Sequence, residues 1–195
     1  MVADPTTTYR AAEYVVLENE AETKSEFFNG QIYAMAGASP THVRISGNVY
    51  HAIRTQLRGK PCEPFNSDLR VRVNETGAFV YPDVTVACPP LTFAEDDANA
   101  LTNPVVIVEV LSPSTEANDR GAKWRHYQHL PSLRDYVLVA QDRMRVEHYS
   151  RLDDGSWRYL VAENESALSL SSIECQLNLD EVYERVEFAE AAPSV

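Results

Sequence analysis

The chain has 195 residues and a formal net charge of −12, from 29 acidic against 17 basic side chains. That length suits one domain with a substantial core, and the charge argues against indiscriminate binding to phosphate backbones. No apolar run approaches membrane-spanning length, and the first six residues lack the basic-then-apolar layout of a signal peptide.

The charge is unevenly spread. Residues 27–62 hold no acid but carry Arg44, Arg54, Arg58 and Lys60. A second basic stretch holds Arg120, Lys123, Arg125 and Arg134, with His126 and His129 among them. Acids gather at 13–26, at 95–97 and at 180–190. Local sign governs a binding face more than the total does, so a nucleic-acid partner stays open. Cys62, Cys88 and Cys175 fit neither a disulfide framework nor zinc spacing, and reduced thiols in a cytoplasmic protein are expected.

After a loose start at 1–7, Ala12, Val15 and Val16 mark a short helix over about 9–20. Residues 24–36 read as a hairpin turning at Asn29-Gly30, the preferred pair for two central residues at positive φ. Ser39-Pro40 opens a helix with a side-chain acceptor at the N-cap and proline at the first helical position. Val43, Ile45, Val49, Ile53 and Leu57 continue it at helical spacing, and Gly59 with Pro61 ends it. Gly47 inside it suggests close packing on a sheet. Strands are expected at 63–67, 69–73 and 79–87, then an acidic loop over 89–103 whose length suggests disorder or a lid. A strand over 105–111, a helix over 116–130 and strands at 135–140, 144–150 and 157–161 follow. A short helix or strand at 177–186 closes the chain before a disordered tail at 189–195. The order gives an α/β or α+β layout, one mixed sheet flanked by helices.

Two acids sit where acids are costly. Strand alternation puts Glu109 on the face of Ile107 and Leu111, and Asp83 follows Pro82 near the start of an apolar run. Neighbouring carboxylates there repel each other unless a cation or a proton lies between them. Hard oxygen ligands of this kind, completed by waters, suit magnesium. Alternatively, each acid meets solvent or an arginine, with Arg70, Arg72 and Arg125 as the candidates. Lys123 shares a helical stripe with Tyr127 and Leu130, which draws its ammonium toward the sheet, although a surface pair with Asp119 at i, i+4 is the simpler reading.

The runs Tyr81-Pro82-Asp83-Val84, Val106-Ile107-Val108-Glu109-Val110-Leu111-Ser112-Pro113-Ser114-Thr115 and Asp119-Arg120-Gly121-Ala122-Lys123, with Tyr127, resemble the signature of the Uma-type (DUF820-like) restriction endonuclease family. This is a branch of the PD-(D/E)XK nuclease superfamily. The likeness extends to the hairpin at 26–35, to Ser39–His42 and to 135–139, and covers about 9–186.

The resemblance implies a single restriction-endonuclease-like domain over 8–187, with an N-terminal hairpin and flexible termini at 1–7 and 188–195. It implies a DNA endonuclease using Mg²⁺ or Mn²⁺, held by Asp83, Glu109 and the Val110 carbonyl. The superfamily's lysine position, two residues after the second acid, is Leu111 here, so the resemblance assigns the ammonium to Lys123. Glu26 is a further acidic candidate, with a hairpin-edge acid as the alternative. His42, Arg44, Arg120 and Arg125 are candidate nucleic-acid contacts. Asp68 reads as a strand-edge acid, and Ser112 and Thr115 as turn and cap residues. A homodimer is expected, since cutting both strands favours two-fold symmetry. The rival reading is an inert nucleic-acid- or protein-binding module on the same fold.

Overall fold

Asn29 and Gly30 adopt φ of +53° and +77° and join β1 (Ser25–Phe28) to β2 (Gln31–Ala34) in antiparallel register. Glycine is required at the second position twice over, because a Cβ at Gly30 would also lie 2.7 Å from the Thr8 methyl. The computed structural model describes residues 7–164 and 166–188, so the expected loose ends at 1–6 and 189–195 lie outside it. Thr7 and Phe188, expected in those loose ends, are engaged: the Thr7 carbonyl accepts from Gln31 Nε2 at 3.0 Å, and Phe188 packs on Tyr183.

Helix α1 (Ala11–Glu20) forms as expected but turns a different face inward. Tyr14, Val15 and Glu18 are buried, whereas Val16 is 58% exposed. The larger aromatic decides the rotation: Tyr14 stacks on Phe27 and its hydroxyl donates to the Ser25 carbonyl at 2.6 Å. Helix α2 (Pro40–Gln56) starts at Ser39, whose side chain accepts from the His42 amide, and buries Ile45, Val49, Ala52 and Ile53.

The expected strand over 79–87 is two strands in two sheets. β5 (Ala78–Val80) joins a five-stranded sheet of order β2-β1-β5-β4-β7, with β4 at Arg70–Val73 and β7 at Ala100–Leu101. β6 (Val84–Ala87) joins a six-stranded sheet of order β11-β10-β9-β8-β6-β3. Its other members are β3 (Glu63–Asn66), β8 (Pro104–Val110), β9 (Asp135–Val139), β10 (Arg145–Arg151) and β11 (Trp157–Glu163). Pro82 cannot donate to a ladder, and the chain changes sheets there. The mixed α+β class holds, with two principal sheets where one was expected.

Three cores follow from strand alternation. Val106, Val108 and Val110 of β8 face α2, while Ile107 and Leu111 face the five-stranded sheet. The latter core also takes Tyr127, Leu130 and Leu133 from the helix over 116–127 and its trailing turn. Tyr14, Phe27 and Phe79 pack a third core under α1. The closing segment is a hairpin of β12 (Ala167–Leu170) and β13 (Cys175–Asn178) followed by a short helix (Leu179–Val182), with β13 and the helix set against α2.

Further expectations are overturned. Cys62 and Cys88 form a disulfide, because antiparallel pairing of Glu63 with Ala87 brings the next residues outward face to face. Their separation of 26 residues carries no sequence signal of this. Cys175 is buried and reduced. The 89–103 loop is ordered and anchored to β4: Asp97 meets Arg70 at 3.0 Å, Asp96 meets Arg72 at 2.9 Å, and Leu101 pairs with Val71.

Gly47 lies on the exposed side of α2, and a Cβ there would meet nothing within 4 Å. Close packing is therefore not its reason. Replacing it with alanine restores helix propensity without a clash, so Gly47→Ala is expected to stabilise the fold by about 0.5–1 kcal/mol. Thermal unfolding should show a midpoint raised by roughly 1–4 °C.

Candidate active site

Sheet register builds the site. Val84 pairs with Val108 across β6 and β8, so one step further along the ladder sets Asp83 opposite Glu109. Glu109 is flanked along its face by Ile107 and Leu111, inside the core between the two sheets. Glu26 shares a face of β1 with Phe28 and enters the same core from the other sheet. Two carboxylates thus meet between layers that are otherwise apolar.

Lys123 arrives between them from the helical segment over 116–127. That segment consists of α3 (Glu116–Asn118), a π-helical turn (Asp119–Lys123) and α4 (Trp124–Tyr127). Such turns widen a helix locally and recur at functional sites. The Lys123 ammonium lies 2.9 Å from Glu26 Oε1, 3.1 Å from Glu109 Oε1 and 3.4 Å from Asp119 Oδ1. Tyr127 donates to Glu109 Oε1 at 2.7 Å, and the Tyr81 amide donates to Glu26 Oε1 at 3.1 Å. Lys123 is 4% exposed, so the pair with Asp119 exists, but in the core rather than on the surface.

Asp83 sits at the partly open end of this arrangement. His42 Nε2 is 2.8 Å from its Oδ1, and the Val110 amide donates to its Oδ2 at 2.7 Å. The arginine partners considered for Asp83 and Glu109 are elsewhere: Arg70 and Arg72 serve the 89–103 loop, and Arg125 is exposed.

Charge does not balance inside the cluster. Glu26, Glu109 and Asp119 are each at most 3% exposed and share one ammonium. Burial pushes the Glu109 carboxyl well above the usual carboxylate range, Lys123 opposes the shift, and Asp119, Asp83 and Glu26 reinforce it. Burial also raises Asp119, again against Lys123. Burial disfavours the charged form of Lys123, but Glu109, Glu26 and Asp119 outweigh it and hold its pKa well above the ordinary lysine value. The stable state therefore keeps Lys123 charged and leaves the carboxylates competing for a further proton or cation.

Among the described residues no three His, Cys, Asp or Glu side chains form a ready-made metal cage. The donors on offer are nevertheless the kind magnesium takes, one or two carboxylates completed by water and substrate oxygens. Lys123 and Tyr127 both address Glu109 Oε1, leaving Oε2 without either donor, and Glu26 Oε2 is buried with no partner. A divalent cation fits that excess of hard, negative oxygens.

The other sequence candidates are dispersed. Arg44 is exposed and donates to the Arg185 carbonyl at 2.6 Å. Arg120 is held by Glu116 at 2.8 Å and by both oxygens of Glu147 at 2.5 and 2.8 Å. Asp68 pairs with Lys24 at 2.8 Å. The Ser112 and Thr115 hydroxyls are 2.9 Å apart in the turn before α3. Sequence reasoning missed Asp119 as a buried member of the cluster and His42 as the partner of Asp83. Asp119 is legible only as an i, i+4 surface partner of Lys123; the signal for its burial is that drawing the Lys123 ammonium toward the sheet draws its partner with it.

The fold and site define a class: a restriction-endonuclease-like α+β core with acids on adjacent central strands and a lysine brought in from the following helix. In structure the chain is similar to the crystal structure of "a putative nuclease belonging to DUF820" from Anabaena variabilis ATCC 29413. The TM-score is 0.74 at 18% identity, covering 89% of this chain and 97% of that one. In sequence it is 40% identical over 176 residues to the uncharacterized protein slr1290 of Synechocystis sp., covering 90% of this chain and 92% of the relative. It is 37% identical over 166 residues to a second Synechocystis protein, sll1609, covering 84% and 94%. The sequence model of the Uma2 family, described as "Putative restriction endonuclease", matches residues 11–180, and the chain belongs to that family.

Two outcomes follow from the electrostatics. Lys123→Ala leaves three buried carboxylates without their cation and should cost about 3–5 kcal/mol in urea unfolding. Adding Glu109→Gln should recover part of that loss. Separately, the Arg120 guanidinium holds the Glu147 carboxyl at about 2, against burial. A depressed acid stabilises the fold above its unfolded pKa, and that stability is lost as pH falls through the folded value. Between about pH 4.5 and 2 the wild type should therefore lose stability more steeply than Glu147→Gln in urea titrations at each pH.

Proposed function

We propose that the protein is a Mg²⁺- or Mn²⁺-dependent endonuclease that hydrolyses phosphodiester bonds of DNA. Asp83, Glu109 and the Val110 carbonyl would hold the cation. Bound there, it would lower the pKa of a water and offset charge on a phosphoryl oxygen. The observation that carries this reading is Lys123, whose ammonium reaches Glu109 and Glu26 from a neighbouring helix although the strand position that could have supplied a lysine is Leu111.

Each residue then has a physical role. Lys123 presents a permanently charged donor beside the reacting centre, where it stabilises developing negative charge. Glu26 and Asp119 fix that ammonium from two sides, and Tyr127 orients Glu109 through its hydroxyl. His42 and the Val110 amide each contact one oxygen of Asp83 and so orient its carboxylate. Arg44, exposed two residues beyond His42, and exposed Arg125 are the side chains this reading assigns to phosphate contact.

One observation favours a second reading, a binding module that does not cut. Lys123 is buried and already neutralised by acids, as in a purely architectural bridge. Incubation with supercoiled plasmid separates the two. The enzyme reading expects relaxed or linear product with Mg²⁺ or Mn²⁺, and none from Asp83→Ala or Glu109→Ala protein that remains folded by circular dichroism. A gel shift without product from the wild type would establish the binding module instead.

A further inference from the structure

The six-stranded sheet ends in two edges of opposite character. Edge strand β3 is four residues long, contains Pro64 and is tied to β6 by the Cys62–Cys88 disulfide. These are devices that discourage strand addition. Edge strand β11 has none of them. It runs seven residues from Trp157 to Glu163 without proline, lysine or a register shift, and among the described residues it pairs along its whole length with β10 on one side only. Its other side is a row of backbone donors and acceptors that another extended strand satisfies.

The side chains of β11 reinforce the point. Tyr159, Leu160 and Val161 are consecutive and 46%, 45% and 40% exposed. The charges at the ends of the strand are turned to its own sheet: Arg158 donates to Ser150 Oγ, and Glu163 pairs with Arg145. Neither is placed to repel an incoming strand.

We infer that β11 is the interface of a two-fold symmetric homodimer, in which two copies pair their β11 strands antiparallel and make one continuous sheet. A two-fold axis perpendicular to the sheet requires opposed residues to share a face, so positions of equal parity meet. With the axis at Leu160, that residue meets its own copy, Tyr159 meets Val161, Arg158 meets Ala162 and Trp157 meets Glu163. No like charges are opposed, and the exposed apolar residues cover one another. The strand is self-complementary, which is what selects a second copy of this chain as its occupant. A two-fold pairing also closes on itself, leaving only the guarded β3 edge at each end of the sheet.

Sedimentation velocity at micromolar concentration tests this on the full chain. The wild type should run as a dimer, and Leu160→Lys, which opposes two ammoniums on the axis, should run as a monomer with an unchanged circular dichroism spectrum. Leu160→Cys should give a covalent dimer on mild oxidation, read by non-reducing electrophoresis. A monomeric wild type, open-ended association, or a dimer unaffected by Leu160→Lys and not trapped by Leu160→Cys would each overturn the inference.

Discussion

A single buried ammonium joins the two principal sheets of this protein. Lys123 lies between Glu26 on one and Glu109 on the other, with Asp119 behind it. Each of these groups loses its hydration on entering the core, and the attraction among them offsets that loss only because the geometry is close and Tyr127 and the Tyr81 amide add donors to the same Glu109 and Glu26 oxygens that Lys123 contacts. The bridge fixes the separation of the layers and the rotation of the helix over 116–127. It also leaves surplus negative charge among the buried carboxylates.

The π-helical turn serves the same end. It is anchored outside the cluster, where Glu147 on β10 grips Arg120, and inside it, where the Tyr136 hydroxyl donates to the Asp119 carbonyl at 2.9 Å. Strands β9 and β10 therefore set the position from which Lys123 and Asp119 approach Glu109. Pro82 does comparable work for Asp83. By ending β5 and releasing the chain into the other sheet, it delivers Asp83 to the place in the ladder opposite Glu109.

Local chemistry made much of the fold legible in advance. Asn29-Gly30 permits a turn that few other pairs permit, and Ser39-Pro40 caps a helix with its own side chain and ring. Both form where residue type placed them. Alternation on β8 likewise put Glu109 among core residues, as found. Errors arose wherever distant segments decide. The 89–103 loop looked loose until Arg70 and Arg72 supplied its counter-charges from β4. The rotation of α1 depended on Phe27, and the disulfide depended on which strands are neighbours.

By itself, then, the sequence determined the hairpin, the capped helix, the apolar strands and the presence of acids too costly to bury unaccompanied, because each follows from the stereochemistry or hydration of nearby residues. It also carried the family signature in the residues of those elements. Only the tertiary structure decided that one lysine would answer to three carboxylates, that His42 would hold Asp83 and that Cys62 would meet Cys88. Apart from the i, i+4 spacing of Lys123 and Asp119, those pairings depend on register and layer packing, which are properties of the whole chain and leave no local trace.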